Sequence, residues 1–135
     1  MTPEAIQAGL IQRCKAVAIS RDLSPVLPNT QKDPVAGQIR FDFIDPDREN
    51  ATLKGGAVLD ETGAMVATVC VEIGTLTADV SAHVSAIEAL FPKGQKIAIT
   101  GGEITILAVP QIRSGYPDGA VWRVPVVVRY RARAT

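Results

Sequence analysis

Apolar residues recur along this chain at two spacings, one near 3.6 residues and one of two, and the switches between them outline its elements. Ile6, Leu10, Cys14 and Val17 make a stripe at helical spacing, with Gln7, Gln12, Arg13 and Lys15 outside it. Thr2-Pro3-Glu4 ahead of the stripe reads as an N-cap, a proline at the first helical position and an acid in the first turn. Gly9 disfavours this helix by about 1 kcal/mol relative to alanine, so the helix must lean on packing. A second helical stripe holds Val80, Val84, Ile87 and Phe91. Thr77 stands where its cap belongs, Asp79 complements the dipole in its first turn, and Pro92-Lys93-Gly94 stops it.

Alternation with period two marks the strands. Gln38 to Ile44 puts Ile39, Phe41 and Phe43 on one face and Arg40 and Asp42 on the other, and Met65, Ala67, Val69, Val71 and Ile73 repeat the pattern. Between them, Asp45 to Gly63 is polar and carries glycine, which predicts a projecting hairpin arm that Ala57-Val58-Leu59 extends. Ile97 to Ile99 and Glu103 to Val109 read as short strands around Gly101-Gly102. Tyr116-Pro117-Asp118-Gly119 fits a type I turn.

The final strand follows, with Trp122, Val124, Val126, Val128, Tyr130 and Ala132 on one face and Arg123, Pro125, Val127, Arg129, Arg131 and Arg133 on the other. Pro125 has no N–H to give a ladder, which assigns it to a sheet edge or a bulge. Three prolines between Ser24 and Pro34 make that stretch an extended surface connector. The order of elements predicts an α+β fold: a mainly antiparallel sheet of four to six strands, two helices packed on one face, and the projecting arm. Residues 1–135 read as one domain without internal repeats.

Composition adds an electrostatic asymmetry. Formal net charge is zero, so general attraction to nucleic acid is not implied. Yet residues 113 to 135 hold five arginines against Asp118, while Asp42, Asp45, Asp47, Glu49, Asp60 and Glu61 outnumber Arg40, Arg48 and Lys54. Opposite charge on two surfaces of one neutral chain suits head-to-tail contact between copies, or else two solvated sides of a domain. Cys14 and Cys70 lack metal or redox spacing and read as free, mostly buried thiols. The N-terminus has neither the basic start nor the apolar run of a signal peptide, and no segment has the length and apolarity of a membrane span.

Catalytic patterns find no footing. His83 stands alone beside the second helical stripe, outside any serine–histidine–acid or cysteine–histidine arrangement. The acids from Asp42 to Glu49 lack the spacing and the sharp glycine turn of a calcium loop. Gly55-Gly56 and Gly101-Gly102 fit neither phosphate-binding glycine motif. The C-terminal arginines lack the interleaved aromatics of a nucleic-acid groove, because Tyr130 and Trp122 alternate onto the opposite face. Arg113 and Tyr116 share an exposed tip, a composition common in protein interfaces. Neither a catalytic group, a cofactor nor a metal is expected.

Several segments, in order, resemble a known family. They are the short N-terminal helix, Pro25-Val26-Leu27-Pro28-Asn29, Ile39-Arg40-Phe41-Asp42-Phe43, and Gly63 with Ala67-Thr68-Val69 and Val71. Ala89-Leu90-Phe91-Pro92-Lys93-Gly94 follows, then the ending Asp118-Gly119, Trp122-Arg123-Val124-Pro125-Val126, Val128 and Tyr130-Arg131-Ala132. Together they resemble the tail-terminator, or tail-completion, proteins of long-tailed bacteriophages. The resemblance implies a non-enzymatic virion subunit, assembled in the bacterial cytoplasm, that forms a ring, usually a hexamer, on the growing tail tube. Such a ring ends polymerisation and offers a docking surface to the head, with the tail tube protein and a head-completion protein as partners and DNA passing through its lumen without specific binding. The long acidic segment Asp45 to Gly63 departs from the family pattern. The charge asymmetry adds an expectation: Asp45, Asp47, Arg48 and Glu49 of one subunit meet Arg129, Arg131 and Arg133 of the next, while Arg113 and Tyr116 serve a further contact. A stopper or other neck protein is the nearest alternative. A small ligand- or nucleic-acid-binding module is more distant.

Overall fold

The computed structural model describes residues 1–28, 33–50 and 59–134. The helices are α1 (Pro3–Ser20) and α2 (Thr77–Glu88). The strands are β1 (Ser24–Val26), β2 (Gln38–Asn50), β3 (Leu59–Glu72), β4 (Lys96–Ile99), β5 (Gly102–Ile106), β6 (Gln111–Ile112), β7 (Tyr116–Asp118) and β8 (Val121–Ala134). The class is α+β, and the sheet is antiparallel except where β1 joins β2 in parallel.

The sheet runs β1-β2-β3-β8-β5-β4, with β6 and β7 also paired to β8. Eight described strands stand in place of the expected four to six. Three of them, β1, β6 and β7, have three residues or fewer, too short for a periodic signal. Part of the proline-rich connector therefore enters the sheet, as β1, while residues 29–32 lie outside the described residues.

One face of the three long strands forms the core. Ile39 and Phe41 on β2, Met65, Ala67 and Val69 on β3, and Val124, Val126, Val128, Tyr130 and Ala132 on β8 cluster with residues of both helices. From α1 these are Ile6, Leu10, Ile11, Cys14 and Ala18, and from α2 Val84 and Ile87, with Phe91 just beyond it. Thr2 caps α1 as expected, its Oγ1 accepting the Ala5 N–H at 3.1 Å. Gly9 has a packing reason: a Cβ there would run into the side chain of Ile99 on β4.

Four local expectations are corrected. Leu76, not Thr77, is the N-cap of α2, and no side chain caps it, because Thr77 is already helical. Ile73 lies past β3 and is exposed, as are Leu107 and Val109 past β5, so alternation ran beyond the true strand ends. The turn sits further on than Tyr116-Gly119. Asp118 pairs with Val121, leaving Gly119-Ala120 as a two-residue hairpin loop, and Gly119 takes φ 62° at its first position.

Pro125, the fourth correction, lies in a central strand, opposite Thr68. Its carbonyl accepts the Arg113 N–H at 2.9 Å, so its nitrogen points to the same side. On that side the ladder is interrupted between Ile112 on β6 and Tyr116 on β7, and the missing donor costs nothing.

Candidate assembly interface

The sheet face turned away from the helices carries Asp42, Asp47, Asp60, Arg129, Arg131 and Arg133, whereas Arg48 and Glu61 lie on the inner face. β2 pairs Ile44 with Ala64 and then Asp47 with Thr62, one residue more on β2 than on β3. This bulge accommodates Pro46 within the strand instead of ending it. It also reverses the alternation of β2. Asp42 stands opposite Val66 and Asp47 opposite Thr62, and because Val66 and Thr62 share a face, so do the two acids. Simple alternation places them on different sides; the inserted residue does not.

The hairpin arm does not stand apart over its described length. Asp47 to Asn50 pair with Leu59 to Thr62, and β8 runs alongside, Asp60 opposite Arg133 and Thr62 opposite Arg131. Residues 51–58, including Ala57 and Val58, and the side chains of Asp45, Glu49, Asn50 and Leu59 lie outside the described residues.

Two consecutive acids at the base of the arm grip opposite faces of the sheet. On the outer face Asp60 takes a bidentate pair from Arg131, whose Nε lies 2.9 Å from Oδ1 and 3.1 Å from Oδ2, with Nη2 also on Oδ2. Arg133 Nη2 stands 3.7 Å from the same oxygen. Hydrogen bonds from Arg131 hold the Asp60 carboxyl below its ordinary value, and the two guanidinium charges add to that against the opposing effect of burial. On the inner face the Tyr130 hydroxyl donates to Glu61 Oε2 at 3.0 Å, and Arg48 Nε sits 2.9 Å from Oε1. Burial and then the Glu61 charge push the Tyr130 hydroxyl up, so it stays protonated as the donor. Gly63, opposite Tyr130, leaves room for that hydroxyl, since a Cβ there would lie 2.9 Å from it.

The depressed Asp60 carboxyl has a definite linkage sign. Its contribution to stability is fully present above the unfolded value near 3.8 and is lost as pH falls through the folded value. Urea midpoints at pH 6 and pH 3 are expected to differ less in Asp60→Asn than in the parent chain.

Arg131 and Arg133 therefore meet an acid of their own subunit, and Arg48 meets Glu61. That pairing is internal to the subunit, whereas the sequence reading placed these arginines against a neighbouring copy. Arg129 and Arg113 are exposed, and neither pairs with an acid among the described residues. Tyr116 is also exposed, and Arg123 stacks over its ring at 5.7 Å while Arg123 Nη1 lies 2.8 Å from Asp118 Oδ2.

Leu107, Val109 and Ile112 are exposed as well, on the segment that leads to Arg113. Sequence reasoning assigned Ile112 to no element, and it missed Leu107 and Val109 as surface residues because Glu103 to Val109 alternates like a buried strand. The only available signal was Pro110, which interrupts it.

Other reactive groups sit apart. Cys14 and Cys70 are free and buried, and burial pushes the Cys14 thiol up to about 12. His83 lies in a hollow with Arg21, Glu72 and Asp79, its value lowered by burial and by Arg21. Among the described residues no three of His, Cys, Asp and Glu gather to hold a metal ion, and no helix is long and apolar enough to cross a membrane.

An α+β unit whose carboxylates and guanidiniums pair across its own sheet, and whose exposed apolar groups include Leu107, Val109 and Ile112 on the segment leading to Arg113, is suited to contact with other proteins. The chain belongs to the phage tail terminator family: the family model described as phage tail terminator protein matches residues 5–130. It is accordingly a phage tail structural protein, a component of the virion. One solved structure shares its fold with TM-score 0.74 at 18% identity, over 98% of this chain and 96% of the other. A chain from the virion of a native gene transfer agent (GTA) particle superimposes with TM-score 0.58, also at 18% identity, over 97% of this chain and 96% of that one. No curated protein matches the chain.

Proposed function

We propose that this chain assembles into a ring, a hexamer, that sits on the last layer of the tail tube, ends its polymerisation and presents a different surface to the head. The observation that carries this reading is the tail terminator match over residues 5–130, nearly the whole chain. The geometry is consistent with a mechanism of occupancy: no bond is made or broken, and the subunit acts by filling a binding surface that another tube subunit would otherwise fill. Tail tube protein lies on one side of the ring and a head-completion protein on the other, with DNA passing through the lumen without specific contacts.

Contacts between subunits or with partners fall to groups that remain exposed: Asp47, Arg113, Tyr116 and Arg129. Asp45 and Glu49 extend the same acidic stretch. Arg48, Arg131 and Arg133 support the arm from within the subunit and act on assembly through its shape. Light scattering and negative-stain imaging of the purified chain, alone and mixed with tail tubes, test the proposal. Annular particles and capped tube ends are expected. A chain that stays monomeric and leaves tube ends bare contradicts it.

A further inference from the structure

Among the described residues, both outer edges of the sheet are open. β4 is terminal on one side, and on the other β1 covers β2 only from Gln38 to Arg40. Among the described residues, no strand pairs with the outer edge of β2 beyond Arg40 or with that of β4. Unpaired edges expose backbone donors and acceptors at strand spacing and are templates for another strand.

Direction, register and charge fit these two edges to each other. Every step from β2 through β3, β8 and β5 to β4 is antiparallel, so β2 and β4 run the same way. A copy added by rotation within the sheet sets them side by side in parallel. The ladder row of Asp47 passes through Thr62, Arg131 and Thr105 to Lys96, and the row of Glu49 passes through Asp60, Arg133 and Glu103 to Ala98. The short β4 thus stands at the level of the stretch of β2 that β1 leaves open. Because they share a row, Lys96 and Asp47 lie on the same, outer face. The Lys96 side chain is 68% exposed, and its own partner, Glu103, is a loose 3.7 Å away.

We propose that copies of this chain join edge to edge, β4 of one subunit adding in parallel to β2 of the next along Asp47 to Asn50, with Lys96 beside Asp47. Repetition of this heterologous contact gives each outer edge a partner strand once the ring closes; closure rests on the ring reading above.

The test is a disulfide. Asp47→Cys/Lys96→Cys is made in the full chain, whose own Cys14 and Cys70 are buried, and oxidised after assembly. A ladder of covalent multimers on a non-reducing gel is expected, with each single-cysteine variant remaining monomeric on the gel. Annular particles without a ladder overturn the edge contact while leaving the ring intact. Covalent dimers of a single variant overturn it too, because they show an edge meeting its own copy. Absence of rings in the parent chain removes this inference and the ring reading together.

A charge swap decides the matter if the cysteine variant fails to fold. Lys96→Glu is expected to raise the concentration for half-assembly about fivefold per interface, and adding Asp47→Lys to restore it. Unchanged assembly in Lys96→Glu overturns the pairing.

Discussion

Replacing Tyr130 with alanine is expected to lower the free energy of unfolding by about 3–5 kcal/mol, as loss of a large buried aromatic does, measured as a lower urea midpoint. Tyr130 is among the largest fully buried side chains, and its ring packs in the core while its hydroxyl holds Glu61. Truncation removes both, and it leaves a nearly inaccessible carboxylate with Arg48 as its remaining partner. Tyr130→Phe separates the two contributions. It keeps the ring and removes only the hydrogen bond to the charged group, an expected loss of about 1.5–3 kcal/mol. A phenylalanine variant as stable as the parent chain would mean that Arg48 alone satisfies Glu61.

Arg131→Glu is expected to destabilise the isolated subunit, before any effect on assembly. It removes the bidentate partner of Asp60, whose side chain is 11% exposed, and places a second carboxylate beside it. Breaking a fully buried pair costs about 3–5 kcal/mol. The cost here falls at or below the lower end, because the Arg131 side chain is 45% exposed and Arg133 remains nearby. Asp60→Arg/Arg131→Glu, which restores opposite charges, should recover part of the loss. A variant whose midpoint matches the parent chain while its rings fail would return Arg131 to the role of an inter-subunit contact.

Much of the architecture was legible because long elements repeat their spacing many times. The three strands β2, β3 and β8 have 13, 14 and 14 residues, and their alternation located the core face without ambiguity. The cap at Thr2 was legible for a different reason, since hydroxyl, proline and acid occur together. Short strands were not legible. Tyr116 to Asp118 looks like a turn, and only pairing with Val121 to Arg123 makes it a strand. The bulge at Asp45-Pro46 escaped as well, because local sequence does not record which residues of a partner strand stand opposite.

The interface residues show the same limit. Charge counts separate an acidic arm from a basic strand, but counts carry no distance. Asp60 and Arg131 are 71 positions apart in the chain and bonded in space, so part of the opposite charge that seemed to call for a second copy is paired within one, while Asp47 and Arg129 stay exposed. The exposure of Leu107 and Val109 escaped because it is decided by where β5 ends.

Imaging of phage particles assembled without this chain tests the account most directly, with tail length as the quantity measured. Overlong or widely varying tails detached from filled heads are the predicted result. Tails of normal, uniform length joined to heads would contradict it, and normal-length tails beside heads that leak DNA would assign the chain to the head side of the junction.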